Sequence, residues 1–302
     1  MHMNYSHLPV MPLETMSALS VEEGGQYIDG TIGGGGHARL ILERIGPKGR
    51  LLGLDRDPDA ISYLEEVLKP AASNLTLYHG NFSRLDMIQT KLGWGAVDGI
   101  ILDLGVSSYQ LEEANRGFSF LRDEKLDMRM DPTSGEPASV LVNRLSEKAL
   151  ADLIFRYGEE RNSRRIARNI VRAREKRPLI TSFRLAEEVR KSFARPGGRT
   201  RIHPATRTFL ALRLAVNNEL EHLEKFLALA PQLIKAGGRL VVISFHSLED
   251  RLVKRALVQP KRAREGEAYL TRLYKKPIRP TPEEIARNPR ARSAKLRAGE
   301  RV

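Results

Sequence analysis

Tyr27-Ile-Asp-Gly-Thr-Ile-Gly-Gly-Gly-Gly-His37, followed by Leu51-Leu-Gly-Leu-Asp55, decides the fold. Each segment carries a short apolar run that ends in a carboxylate, the pattern of a buried parallel strand feeding a ligand-facing loop. Between them, four glycines open a helical stretch. Gly33, Gly35 and Ala38 match G-x-G-x-x-G/A, and Asp55 follows about 20 residues on, where a ribose-binding acid belongs. The pair predicts a nucleoside-containing cofactor. It leaves open whether that cofactor is a nicotinamide dinucleotide or a methyl donor.

The same rhythm extends outward. Leu75–His79, 99–104 and 239–245 read as further parallel strands beside Gln26–Asp29 and Arg50–Asp55. Residues 38–45, closed by Gly46-Pro47, and 58–68, with Asp57 as N-cap, read as the helices between them. Strand and helix alternating at this spacing predict an α/β fold, a doubly wound, mostly parallel Rossmann-like sheet with right-handed crossovers. Its ligand edge gathers Asp29, Asp55, His79-Gly-Asn-Phe82 and Asp103 at the strands' carboxyl ends.

After the fourth strand the rhythm breaks. Residues 146–157, 163–174 and 181–193 have helical periodicity with no strand between them. The expected organisation is a cofactor-binding domain of 1–111 and 206–302 around a small all-helical insertion, 112–205. Residues 204–229 read as one helix and 268–276 as a closing antiparallel strand. Residues 279–302, rich in Pro, Arg and Ala, read as a tail without a core of its own.

The chain has 302 residues, no cysteine and a net charge of +13, which excludes disulfides and thiolate chemistry. There is no basic-then-apolar leader and no apolar run of spanning length, so a soluble cytoplasmic protein is expected. Charge is unevenly spread: net −5 over 1–111, +7 over 112–205, balance over 206–250 and +11 over 251–302. Such asymmetry predicts a polyanionic partner met by the middle and the tail, a solvated Arg-rich surface being the alternative.

Chemistry narrows the cofactor. Asp29, just ahead of the glycines, would repel a pyrophosphate but suits a cationic amino group or sulfonium. That favours S-adenosylmethionine, as does a basic insertion where a dehydrogenase would carry its second nucleotide half. Asp29 and Gly33 line this loop, and Asp55 is placed for both ribose hydroxyls. Phe82 is placed either to cover an adenine face or to fill the core. Asp103 ends an apolar strand, where an unpaired acid is costly. It is a candidate acceptor for a target amine, or else a turn acid; Asp103-Leu-Gly-Val does not match the Asp/Asn-Pro-Pro-aromatic string of many amine methyltransferases. No metal is required, and His203 and His246 lack metal-ligand spacing. Ser244, His246, Ser247 and Asp250 hint at a hydrolase but lack a nucleophile elbow.

Longer strings carry a resemblance. Asp29-Gly-Thr-x-Gly-x-Gly-Gly-His37, Asp55-Arg-Asp-Pro58, His79-Gly-Asn-Phe-Ser83, Asp103-Leu-Gly-Val-Ser-Ser-x-Gln110, Leu126-Asp-Met-Arg-Met-Asp131 and Ser244-Phe-His-Ser-Leu-Glu-Asp-Arg251 look like the MraW/RsmH family. Its members are bacterial S-adenosylmethionine-dependent methyltransferases that modify a cytosine N4 in 16S ribosomal RNA. The resemblance covers nearly the whole chain. It implies a class I methyltransferase sheet and cofactor contacts from Gly35, Gly36, His37, Asp55, Phe82, Asp103 and Gln110. It also implies a helical RNA-recognition cap beside the cofactor cleft, with 16S rRNA in the small ribosomal subunit as partner. Asn217, in Val216-Asn-x-Glu-Leu220, becomes a further candidate acceptor for the amine on resemblance alone. A non-catalytic RNA-binding assembly factor and a nicotinamide oxidoreductase are the competing readings.

Overall fold

A computed structural model describes residues 8–112, 115–193, 203–258, 266 and 268–302. The chain divides into two units, Met1–Gly105 with Leu220–Val302, and Val106–Glu219. The first opens with α1 (Pro12–Leu19), β1 (Gln26–Asp29), α2 (Gly36–Ile45), β2 (Arg50–Asp55), α3 (Pro58–Val67), β3 (Leu75–His79), α4 (Leu85–Leu92) and β4 (Val97–Asp103). The second holds α5 (Ser108–Glu112), α6 (Ala138–Arg144), α7 (Glu147–Gly158), α8 (Ser163–Lys176), α9 (Ser182–Arg190) and α10 (Thr206–Asn217). The first then resumes with α11 (Glu219–Leu233), β5 (Ile234–Ser244), α12 (Ser247–Ala256), β6 (Leu270–Arg272), α13 (Pro282–Arg287) and β7 (Lys295–Arg301).

The seven strands lie in the order β3-β2-β1-β4-β5-β7-β6. Neighbours pair parallel except at β7, which runs antiparallel to both β5 and β6. Side chains alternate between two apolar layers, as the period of a strand demands. Tyr27, Leu51, Ile101, Val241 and Leu296 point into one core; Ile28, Leu52, Ile100, Val242 and Leu240 point into the other. Both faces are thus covered, so each central strand reads as an unbroken apolar run. Helix α3 starts as expected: Pro58 takes the first position and the Asp57 carboxylate accepts from Asp59 N–H.

Three expectations need correction. The tail is not coreless: 295–301 forms β7, an internal strand whose Leu296 and Ala298 are buried, and it supplies the sheet's reversed direction. The 268–276 segment contributes only Leu270–Arg272, at the sheet edge. Residues 204–229 form two helices, because Asn218 takes a left-handed φ of 49° and ends α10. Helix α10 packs Phe209 and Leu212 into the second unit's core, with Leu150, Ile154, Ile166 and Ile170, so that unit runs 106–219, wider than the 112–205 read from periodicity. Among the described residues, no helix is long and apolar enough to cross a membrane.

Candidate active site

Strand β1 lies between β2 and β4 and is the shortest of the three. Register pairs Asp29 with Gly53 on one side and Ile101 on the other, so Asp55 and Asp103 each stand two residues beyond it. The chain leaves β1 for β2 and returns on the far side as β4, which makes this the topological switch point, where open α/β sheets hold ligands.

Backbone amides hold two of the acids, and Thr31 ties in the backbone of the third. Asp29 Oδ1 accepts from Thr31 N–H at 3.1 Å, and Thr31 Oγ1 accepts from Asp103 N–H at 2.7 Å. Asp55 Oδ2 accepts from Gly33 N–H and its Oδ1 from Asp57 N–H, both at 2.9 Å. Thr31 therefore couples two of the acids, a role the sequence reading missed. Its signal was the D-G-T turn, in which an Asp side chain caps its own backbone two residues on.

The glycines divide the work. Gly33 takes a left-handed φ of 48°, and a Cβ there would meet only the Thr31 carbonyl, at 3.9 Å. Gly35, at φ 79°, precedes α2, and a Cβ there would meet Leu64 at 2.9 Å. A Cβ on Gly36 would meet Pro9 at 3.1 Å. Two of the expected cofactor glycines thus admit α3 and the N-terminal segment.

His37 sits in the first turn of α2, buried, with Nε2 3.6 Å from Asp103 Oδ2. Neither ring nitrogen has a hydrogen-bond partner among the described residues, and Asp103 Oδ1 is buried without one. Burial pushes Asp29 up to about 7; His37 and the Thr31 amide pull it down, while Asp103 and Asp55 add to the rise. Asp55 is pushed up to about 6, again chiefly by burial, against the amides of Asp57 and Gly33. Such a crevice favours a cation and disfavours a pyrophosphate.

The loop after β3 is braced from α11. Asn81 Oδ1 accepts from Ser83 N–H, so its Nδ2 donates to His222 Nδ1 at 3.0 Å. Burial pulls His222 down to about 4, helped by Arg56, so the ring is neutral near pH 7 with its proton on Nε2. One turn along, Phe226 meets Phe82 edge-on, centroids 5.6 Å apart at 78°. Phe82 is therefore partly a core residue.

Two expected site residues lie in the second unit and have work there. Gln110 Oε1 accepts from Ser107 N–H while Ser107 Oγ accepts from Gln110 N–H, a reciprocal capping box spelled by S-x-x-Q. Asn217 is buried; its Oδ1 accepts from Met130 N–H, and its Nδ2 donates to the carbonyls of Met128 and Arg213. That amide braces the 128–130 segment, a structural task for the residue expected as an acceptor for the target amine. His246 is the N-cap of α12, in a capping box with Glu249, and Asp250 pairs with Lys295 and Arg297. Those contacts remove the hydrolase reading. Among the described residues, no group of three or more acids and histidines could hold a metal.

The MraW methylase family model matches residues 4–302. The chain belongs to that family. Ribosomal RNA small subunit methyltransferase H of Magnetococcus marinus is 48% identical over 315 residues, covering 99% of this chain and 100% of that protein. The protein of the same name from Geobacter sulfurreducens is 49% identical over 311 residues, covering 99% and 100%. The chain is accordingly a methyltransferase with a class I sheet, and its methyl donor is S-adenosylmethionine. The crevice fits that cofactor: three acids at adjacent strand ends and a buried Asp103 oxygen with no partner among the described residues suit a ligand with a sulfonium and an ammonium. This resolves the choice the glycine loop left open.

Proposed function

We propose that the protein methylates the exocyclic N4 of a cytosine in 16S rRNA, acting in the cytoplasm on the small ribosomal subunit. The reading is carried by Asp103, an acid at the end of β4 with a buried oxygen that has no partner among the described residues, in a chain nearly half identical to small-subunit rRNA methyltransferases.

S-adenosylmethionine supplies an electrophilic methyl on a cationic sulfur. Asp55 would hold the ribose hydroxyls, and Phe82, packed edge-on against Phe226, would pack against the adenine. Asp29, Gly33 and His37 would hold the methionine portion, while Gly35 and Gly36 shape the loop by admitting α3 and the N-terminal segment. The cytosine N4 lone pair is delocalised into the ring and attacks poorly. Asp103 Oδ1, by accepting from one N4–H, localises that lone pair and receives the proton that N4 must shed as its new N–C bond forms. His37 Nε2 stands 3.6 Å from the Oδ2 of the same carboxylate. Fixing amine and acceptor in one crevice supplies much of the remaining rate. The target base has to leave its stack to reach the strand ends.

The test is methyl-labelling of small subunits from a strain lacking the gene, followed by nucleoside mass analysis. N4-methylcytidine is expected, and a different methylated nucleoside contradicts the proposal.

A further inference from the structure

Several cations on the second unit are paired with acids. Arg129 meets Asp127 at 2.7 Å, Arg144 meets Glu136 at 2.6 Å, Arg190 meets Glu187 at 2.8 Å and Arg213 meets Glu219 at 2.9 Å. Helix α8 gathers cations on one face, most of them without such a partner. Its Ile166, Ala167 and Ile170 are buried in the unit's core. At 3.6 residues per turn, Arg164, Arg165, Arg168, Arg172 and Lys176 fall on the opposite face, within an arc of about 120° and over about 18 Å of helix. All five are exposed. Arg168 Nε lies 3.5 Å from Glu147, while the other four have no ion pair or hydrogen bond among the described residues. Glu175 is the one acid in the arc.

A stripe of like charges at i, i+4 spacing disfavours its own helix, and a polyanion laid along it relieves the repulsion. Four of the five cations are arginines, whose planar forks match phosphate oxygens two at a time. The helix's apolar face is consumed by the core, so α8 cannot embed that face in a lipid interface as a membrane-surface helix does. The stripe holds no aromatic side chain on which an unstacked base could rest.

We propose that this face of α8 docks the sugar–phosphate backbone of the substrate RNA and sets its position without reading its sequence. The inference rests on the RNA methylation reading above.

The test uses the full chain carrying R164Q, R165Q, R172Q and K176Q together, with unmodified 16S RNA transcript titrated at several salt concentrations. Loss of four phosphate contacts lowers the slope of log affinity against log salt by roughly 3 and weakens low-salt binding more than tenfold. Cofactor affinity is expected to stay unchanged. The charge-keeping R164K/R165K/R172K variant should retain the slope, and so should R190Q/K191Q on α9, where both cations are already paired with acids. An unchanged slope in the quadruple variant overturns the proposal. So does an equal drop in the α9 variant, or a loss confined to binding of phosphatidylglycerol vesicles. Wild-type protein that binds the RNA but transfers no methyl overturns the methylation reading and leaves the surface standing. Wild-type protein that methylates while the quadruple variant keeps its slope overturns the surface alone.

Discussion

His37 Nε2 stands 3.6 Å from Asp103 Oδ2, which ties the helix behind the glycine loop to the end of β4. Among the described residues neither His37 nitrogen nor Asp103 Oδ1 has a hydrogen-bond partner, and buried polar groups seldom stay unsatisfied. His37→Ala should therefore weaken cofactor binding at least tenfold, roughly the worth of one charge-assisted contact. Calorimetric titration measures it, and an unchanged affinity would remove His37 from the site.

Asp29 links pH to stability. Its carboxyl is pushed up to about 7 in the folded chain, from an ordinary value of 3.8, so the folded state holds this proton more tightly than the unfolded one. The stabilisation is complete below about pH 4 and is lost as pH rises through about 7, by up to about 4 kcal/mol. Asp55, pushed up to about 6, acts in the same direction. In urea melts of cofactor-free protein, Asp29→Asn should gain on wild type as pH goes from 4 to 8. A difference that is constant over that range would refute the assignment.

Asn217→Ala leaves Met130 N–H and two carbonyls without their buried partner. The expected cost is about 2–4 kcal/mol of stability, read as a lower melting temperature, with turnover per folded molecule near normal. A hundredfold loss of turnover without destabilisation would return Asn217 to the chemistry.

The parts of this fold legible in the sequence are those where one physical demand dominates. Ile100-Ile-Leu102 is apolar throughout because β4 is covered on both faces. Strand β7 was hidden because Lys295-Leu-Arg-Ala-Gly-Glu-Arg301 spends its other face on specific pairings. Arg297 and Lys295 reach Asp250, and Gly299 makes room for Leu257, since a Cβ there would lie 2.5 Å from its Cδ2. The break at Asn218 was invisible because the apolar period runs on through it, from Leu212 to Leu223 and Phe226. The acids of the crevice were readable from strand ends. Thr31 was not, because its task depends on β1 and β4 lying side by side.

The tail yields a sharp contrast. Read as a loose basic arm, 279–302 could be removed with loss of RNA binding alone. As an internal strand, it cannot. Leu296→Ala should cost about 2–5 kcal/mol through the cavity it opens, and truncation after Ala294 should abolish soluble folding. A truncated protein that keeps its melting temperature and cofactor affinity would contradict the role of β7.

The central claim is that Asp103 accepts from the amine it activates. Single-turnover methyl transfer to small subunits by Asp103→Asn, at saturating cofactor and with cofactor affinity measured separately, tests it most directly. The account predicts a rate at least a hundredfold below wild type, in the range that loss of a positioned proton acceptor produces. A variant that transfers methyl at near wild-type rate would contradict it.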